Sequence, residues 1–397
     1  MSKRLLFVSA LIMITFSNCN CQSQPITEIT VAIYPWLPRP EQFKSVLAEK
    51  WKSVHSDIKL RFLDFDCYHQ DPFDSLDVFV YDGIFLKYFS SKGYLLPLSK
   101  SQIDDWEGFL PFAQDAASLD GKYYGAPYTG CANILVYRKS DIGLDTMKRD
   151  GIDALLSVLG NAATPNDTIP PVGKGMMMDL NSSSQIMSLY AMTEMTLTKQ
   201  YSTSPLLPDG DLDKNVISHL NTLCQITGRA QSQYADPGGQ RSKWFGQGYG
   251  RCFVGYTEDL CYLPGAATTD VKFRLLPVAD SYLPTTEEFY VDLASVNTKV
   301  RKDKIPLALE LLNMMTSAEV MYKSMIADNA NDNPQFIMPV RGKVLADLVN
   351  VHPLYSNMAA IVLRWQPKPL LLDKDCKSWL SKNKAKLKAS ILSGTGK

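Results

Sequence analysis

Apolar and polar positions fall in short blocks along the chain, and the blocks predict an α/β protein. Residues 29–34 (Ile-Thr-Val-Ala-Ile-Tyr) form a β-rich run that stops at Pro35, a first strand. Residues 41–55 have helical spacing, with Phe43, Val46, Leu47, Trp51 and Val54 on one face. Residues 58–65 read as a second strand. Residues 76–80, apolar except for Asp77, read as a central third. Strand, helix, strand and strand with short links imply right-handed α/β layers. Tyr34, Asp66 to Tyr68 and Asp82 then fall at carboxyl ends of strands, the edge where open α/β sheets bind ligands.

Further along, helical spacing predicts helices over 183–198, 213–227 and 242–248, the last closed by Gly248. Strands are expected over 252–256, 271–277 and 289–297, and Thr257 to Leu260 start a helix. Residues 165–174 read as a loop. Helices over 304–317, 317–327, 344–349, 353–362 and 375–392 complete the chain, the last with a basic solvent face. The stripe of Met187, Met192 and Met195 reads as core filling rather than a cofactor box. No internal repeat interrupts this order.

Length changes the picture first. At 397 residues the chain exceeds one ordinary core, so two lobes are expected. Forty-one basic residues balance forty-one acidic ones, and no basic cluster with interleaved aromatics occurs. A nucleic-acid partner and an anionic membrane surface are thereby disfavoured, and a small neutral or singly charged ligand is favoured. Lys3 and Arg4 precede an apolar run over 5–16, followed by small and polar residues. This reads as a secretory signal cleaved near Cys21 or Gln22, with a buried N-terminal helix as the alternative. The run is too short for a stable membrane anchor, and no later stretch of about 18 apolar residues follows. A secreted protein is expected. A lipid-anchored or periplasmic bacterial one is the lesser reading, since the residues before Cys19 make a poor lipobox. Asn166-Asp167-Thr168 and Asn181-Ser182-Ser183 are N-glycosylation acceptors in form.

Cysteine usage sharpens the chemistry. Six cysteines remain after the signal, and export predicts some disulfides. Cys131 lies inside the run 125–139, where Gly-Ala-Pro-Tyr-Thr-Gly-Cys leads into an apolar stretch ending Tyr-Arg-Lys. This run resembles the lobe-crossing segment of periplasmic-binding proteins, which lines the ligand cleft. A thiol there is a candidate nucleophile; burial or pairing is its plain alternative. A reactive Cys131 must stay free, which leaves an odd number of partners. Tyr34, Tyr68 with Asp82, Tyr256 with Glu258, and Tyr290 with Asp292 also sit where strands meet loops. Aromatic rings with carboxylates suit a flat cationic heteroaromatic ligand, by stacking and by pairing with amino groups or a positive nitrogen. For each tyrosine, ordinary packing is the competing role. None of the four histidines (His55, His69, His219, His352) neighbours a nucleophile motif, and no metal-ligand spacing, P-loop or dinucleotide fingerprint occurs. The base for a reactive thiol would then be a carboxylate. Glu258, at the start of a predicted helix, is the candidate, with helix capping as its alternative.

At these residues the chain resembles the thiaminase I (thiamine pyridinylase) family. The resemblance runs from about Ile29 to near the C-terminus. It rests on Val31-Ala32-Ile33-Tyr34-Pro35, on 76–82 (Leu-Asp-Val-Phe-Val-Tyr-Asp), on Gly93-Tyr94-Leu95-Leu96-Pro97 and on Leu135-Val136-Tyr137-Arg138-Lys139. Trp244-Phe245-Gly246-Gln247-Gly248, Phe253-Val254-Gly255-Tyr256-Thr257-Glu258 and 289–297 (Phe-Tyr-Val-Asp-Leu-Ala-Ser-Val-Asn) extend it. It implies a two-lobed type-II periplasmic-binding-protein-like α/β fold with an interdomain cleft. The expected division is a signal peptide over 1–21, lobe 1 over 25–129 plus 293–340, and lobe 2 over 130–292 plus 341–397.

By position, Cys131 matches the family's nucleophile and Glu258 its base. Tyr34, Tyr68, Asp82, Tyr256, Tyr290 and Asp292 match pocket residues. The implied reaction is a base exchange on thiamine, a transferase activity that replaces the thiazole by an amine or thiol acceptor without a cofactor or metal. A monomer is expected. The chain departs from the bacterial pattern at Gly239 and Gln240, where another aromatic is usual. Its extra cysteines imply a disulfide-using lineage. Two other functions fit the aromatics and acids: a solute-binding protein that captures thiamine or a related base without chemistry, and a thiol enzyme acting on another heteroaromatic.

Overall fold

The computed structural model describes residues 26–147, 151–162, 168–171, 175–198, 211–236, 239–278, 288–329, 332–365 and 367–393. The signal segment with Cys19 and Cys21, the acceptor Asn166 and most of the 165–174 loop lie outside the described residues.

Two sheets organise the chain. In the first, β1 (Glu28–Ala32) pairs in parallel with β2 (Lys59–Phe62) and β3 (Val78–Asp82). Three strands from further along the chain complete it. β4 (Ala126–Cys131) and β3 both flank β9 (Glu288–Val296) in antiparallel ladders, and β10 (Lys368–Pro369) pairs with the start of β9. The second sheet has β5 (Asn133–Arg138) between β7 (Cys252–Tyr256) and β8 (Val271–Leu275), with β6 (Met176–Met177) beyond β7.

The run that reads as one crossing strand is therefore two. β4 ends at Cys131 in the first sheet, and β5 begins at Asn133 in the second. Only Ala132 separates them, so the thiol stands at the junction of the lobes. The pairing also moves parts of the expected lobe boundaries. Residues 130–131, 288–292 and 368–369, assigned to lobe 2, hydrogen-bond in the first sheet. The reason is that β9 is continuous: its ladder with β4 starts at Tyr290 and its ladder with β3 at Asp292.

All five residues of β3 are buried, as expected for a central strand covered on both faces. The helix Pro40–Val54 buries Phe43, Leu47 and Trp51, each contributing about 1.5–3 kcal/mol as its apolar surface leaves water. Val54, expected on that face, is exposed at the last helical position. Helix Ile305–Met315 packs against β3, β4 and β9. In the second lobe, helices Ser183–Thr198, Lys214–Thr227 and Cys376–Ser393 pack on one another. Met187, Met192 and Met195 are buried there, in the core-filling role their spacing predicts.

The expected disulfides are absent among the described residues. Cys67, Cys131, Cys224, Cys252, Cys261 and Cys376 form no disulfide with one another. Four of them are buried, acting as small apolar side chains, and only Cys131 and Cys261 are partly accessible.

Candidate active site

The two ladders deliver the predicted residues to one place. Along β4 and β9, Cys131 lies opposite Tyr290, and Thr129 lies opposite Asp292. Across β9 and β3, Asp292 lies opposite Asp82. In the second sheet Asn133, two residues past Cys131, lies opposite Tyr256. The turn Thr257–Tyr262 follows β7 directly and carries Glu258.

A chain of polar contacts lines the first lobe's edge. The Tyr68 hydroxyl donates to Asp82 Oδ2 at 2.6 Å, and the Tyr34 and Tyr68 hydroxyls are 3.4 Å apart. Asp82 Oδ1 accepts the Ile84 amide at 3.1 Å, which caps the short turn at Gly83–Phe85. The Thr129 hydroxyl donates to Asp292 Oδ2. Tyr290 and Tyr256 meet edge to face with ring centroids 5.7 Å apart, the orientation that aromatic quadrupoles favour.

Tyr290 points its hydroxyl into the second lobe. It accepts from Asn133 Nδ2 at 2.8 Å and lies 3.4 Å from Met192 Sδ. Asn133 Oδ1 in turn accepts from Gln185 Nε2 at 2.8 Å. These partners leave the Tyr290 ring, rather than its hydroxyl, as the surface available to a ligand. Thr129, Asn133 and Gln185 were not foreseen. Each is a neutral polar residue with no local signal of a role; ladder register places Thr129 and Asn133, and the packing of helix 183–198 places Gln185.

Burial sets the electrostatics. It raises the Asp82 carboxyl to about 6 against the Tyr68 and Ile84 hydrogen bonds. Asp292 is raised well above the carboxylate range by burial, then by the charge of Asp82, with the Thr129 hydrogen bond opposing. Glu258 is raised to about 8 by burial and by neighbouring Asp259. The Cys131 thiol is pushed well up by burial, with the Glu258 charge next. The thiol is therefore held in its protonated form, and for it to attack as a nucleophile a base would have to take its proton.

The turn also removes the capping alternative for Glu258. Asp259, not Glu258, caps it: Asp259 Oδ2 accepts the Tyr256 amide at 2.8 Å. The Glu258 carboxylate accepts from the Thr257 hydroxyl at 3.2 Å and from its own backbone amide, and takes no part in the cap. The histidines are engaged elsewhere. His55 pairs with Glu310, His69 with Asp66 and His219 with the Asn215 carbonyl, while His352 stands edge-on to Phe336. At Gly239 the backbone is left-handed, with φ 66°, and an added Cβ would stand 2.0 Å from the Tyr262 ring. No side chain fits there, because Tyr262 already fills the space.

Two family models match the chain: a Thiaminase-1 domain over residues 132–279 and a bacterial extracellular solute-binding protein over 34–192. The Thiaminase-1 of Paenibacillus thiaminolyticus is 34% identical over 98% of this chain and 95% of its own. Clostridium botulinum thiaminase I in complex with thiamin superposes with a TM-score of 0.86 at 30% identity, covering 92% of this chain and 100% of that one. The maltose-bound MalE3 of T. maritima, at 14% identity and a TM-score of 0.67 over 93% of this chain and 95% of its own, shares the fold. The solute-binding architecture is thus common ground, and the near full-length identity goes further: the chain belongs to the thiaminase I family.

Proposed function

We propose that the protein degrades thiamine by base exchange, with Cys131 as nucleophile and Glu258 as its base. The observation that carries this is the 34% identity to a Thiaminase-1 over nearly the whole chain. The placement of Cys131 between the sheets, within reach of the Glu258 charge, supports the residue roles.

The cleft residues supply the steps. Asp82 and Asp292 favour a cationic substrate, because a positive ring beside them offsets the cost of ionising two buried carboxyls. Tyr34, Tyr68, Tyr256 and Tyr290 provide ring faces for stacking. Asp292 accepts a hydrogen bond from the aminopyrimidine edge and organises the charge that develops there. Glu258 takes the Cys131 proton as sulfur bonds to the electron-poor pyrimidine ring. The bond from the methylene carbon to the thiazolium nitrogen then breaks. Its electron pair leaves with nitrogen, so thiazole departs neutral. An amine or thiol acceptor next bonds to the methylene carbon, and Glu258 returns the proton it holds to the departing sulfur before taking the acceptor's proton. The sulfur–carbon bond breaks and the thiol is restored.

The test is the intact mass of the protein shortly after mixing with thiamine. A pyrimidine adduct mapped to Cys131 is the expected result. Turnover with no adduct and with Cys131 replaced by serine would assign the chemistry to another group. Binding with no turnover for any acceptor would favour the solute-binding reading.

Export is part of the same reading. Lys3, Arg4 and the apolar run over 5–16 support a cleaved signal, and Asn166 and Asn181 are the candidate glycan acceptors. The mass of the protein recovered from medium, before and after glycosidase, tests both. No helix among the described residues is long and apolar enough to cross a membrane.

A further inference from the structure

The base-bearing turn ends in backbone acceptors that its own short helix cannot satisfy. Thr257–Tyr262 is a single 3₁₀ segment, and helix ends leave carbonyls without intrahelical donors. Two carbonyls at this end find the same donor. Asn333 Nδ2 lies 2.7 Å from Leu263 O and 3.3 Å from Cys261 O. On its other side the Asn333 carbonyl accepts from Arg39 Nη2 at 2.9 Å. Arg39 closes the loop that leaves β1 through Tyr34, and its amide donates to Gln335 Oε1 at 3.0 Å. Gln335 is fully buried and donates to Gln42 Oε1 at 3.1 Å and to the Ser324 carbonyl at 2.6 Å. The segment 333–335 is thus anchored in the first lobe and reaches across to the second.

We propose that Asn333 is a positioning residue for the reaction: it fixes the turn that carries Glu258 against the loop that carries Tyr34. Through one residue, its side chain on the turn and its backbone carbonyl on Arg39, the base on one lobe and the aromatic edge on the other keep a set separation. The proposal rests on the reading of Glu258 as base. A carboxylate must lie within hydrogen-bond reach of the proton it takes, and small displacements are costly. The start of the turn is tied within the second lobe, by the Asp259 carboxylate on the Tyr256 amide and the Ser242 hydroxyl on the Asp259 carbonyl at 2.7 Å, so the tie to the first lobe falls to Asn333 at its end.

The groups whose charge bears on Glu258 or on which it acts are Asp82 of β3, Cys131 of β4, Asp292 of β9, Tyr256 of β7, and Asp259, Cys261 and Tyr262 of its own turn. Arg39 and Lys243 bring positive charge to that turn at Cys261. Loosening the turn admits water to this group and relieves the burial that raises the Glu258 carboxyl.

The experiment compares Asn333→Ala, Asn333→Asp and Glu258→Gln in the full chain, reading kcat, KM, the pH profile of kcat/KM and Tm. Asn333→Ala should lower kcat about ten- to hundredfold, the scale of two lost hydrogen bonds expressed in a barrier. The acid limb of the profile should move down by about one pH unit as Glu258 becomes better solvated. A merely structural role would lower Tm and leave that limb in place. Asn333→Asp keeps the shape and loses the donor, so it should reproduce the kcat loss even where the alanine variant folds poorly. Wild-type kcat with an unmoved acid limb in either folded variant overturns the proposal. If Glu258→Gln itself keeps full activity, the base reading fails as well. If Glu258→Gln is inactive while the Asn333 variants behave as wild type, only the positioning role fails.

Discussion

Asp82 and Asp292 face each other as register partners on adjacent antiparallel strands, both buried. Like charges directly opposite on a sheet repel, so one such pair normally destabilises it. Here Tyr68 and the Ile84 amide hold Asp82, and Thr129 holds Asp292, which keeps two acids together where a cation can separate their charges.

Thiamine affinity should therefore rise with pH through about 6, the value to which Asp82 is raised. Below it the carboxyl is neutral and attracts the cation less. Titration calorimetry across this range, in buffers of differing ionisation heat, should also show protons released on binding. Affinity flat from pH 5 to 8 would remove the carboxyl pair from recognition.

Stability without thiamine should move the opposite way. Asp82 and Glu258 have folded values raised to about 6 and about 8, above their unfolded ones. The native state then holds protons the unfolded chain releases, so their contribution is present at low pH and is lost as pH rises through those values. Melting temperature should fall between about pH 5 and 8, and Asp82→Asn or Glu258→Gln should flatten the fall. A wild-type profile that rises with pH would contradict the assigned shifts.

Cys131→Ser should abolish turnover and largely keep thiamine binding, since stacking and charge pairing come from other side chains. A serine hydroxyl is a poor nucleophile toward the pyrimidine ring without a strong base. Equilibrium dialysis with the variant measures the binding, and near wild-type turnover would place the nucleophile elsewhere.

Glu258→Gln should slow the reaction by roughly 10²–10⁴-fold, the usual scale for a positioned acid–base group. The cap on the turn belongs to Asp259, so the loss should not come through unfolding. Circular dichroism melts beside the rate separate the two effects.

Tyr290→Phe should keep most activity, because the ring remains and the lost hydroxyl faces Asn133 rather than the cleft. It should instead lower stability by about 1–3 kcal/mol, the cost of leaving a buried donor short of a partner. Tyr290→Ala should lose both. A large kcat loss in the phenylalanine variant at unchanged stability would mean the hydroxyl touches substrate.

The order of strands and helices was legible in the sequence because apolar spacing and breakers are local: the 41–55 spacing and the stop at Pro35 need nothing from the rest of the chain. The candidate site residues could be singled out for a related reason. Tyr34, Asp82, Tyr256 and Asp292 sit at strand ends or in β9, where a polar residue interrupts a β-rich run. The family resemblance then joined them into one chemistry. Other properties were settled only by packing. Thr129, Asn133 and Gln185 join the site through ladder register and helix placement, which no spacing encodes. The described cysteines form no disulfide because most sit in the core as small apolar groups, whereas their number alone suggested pairing. The protonated rest state of Cys131 arises from desolvation and from the Glu258 charge, and both exist only once distant segments have closed around the thiol.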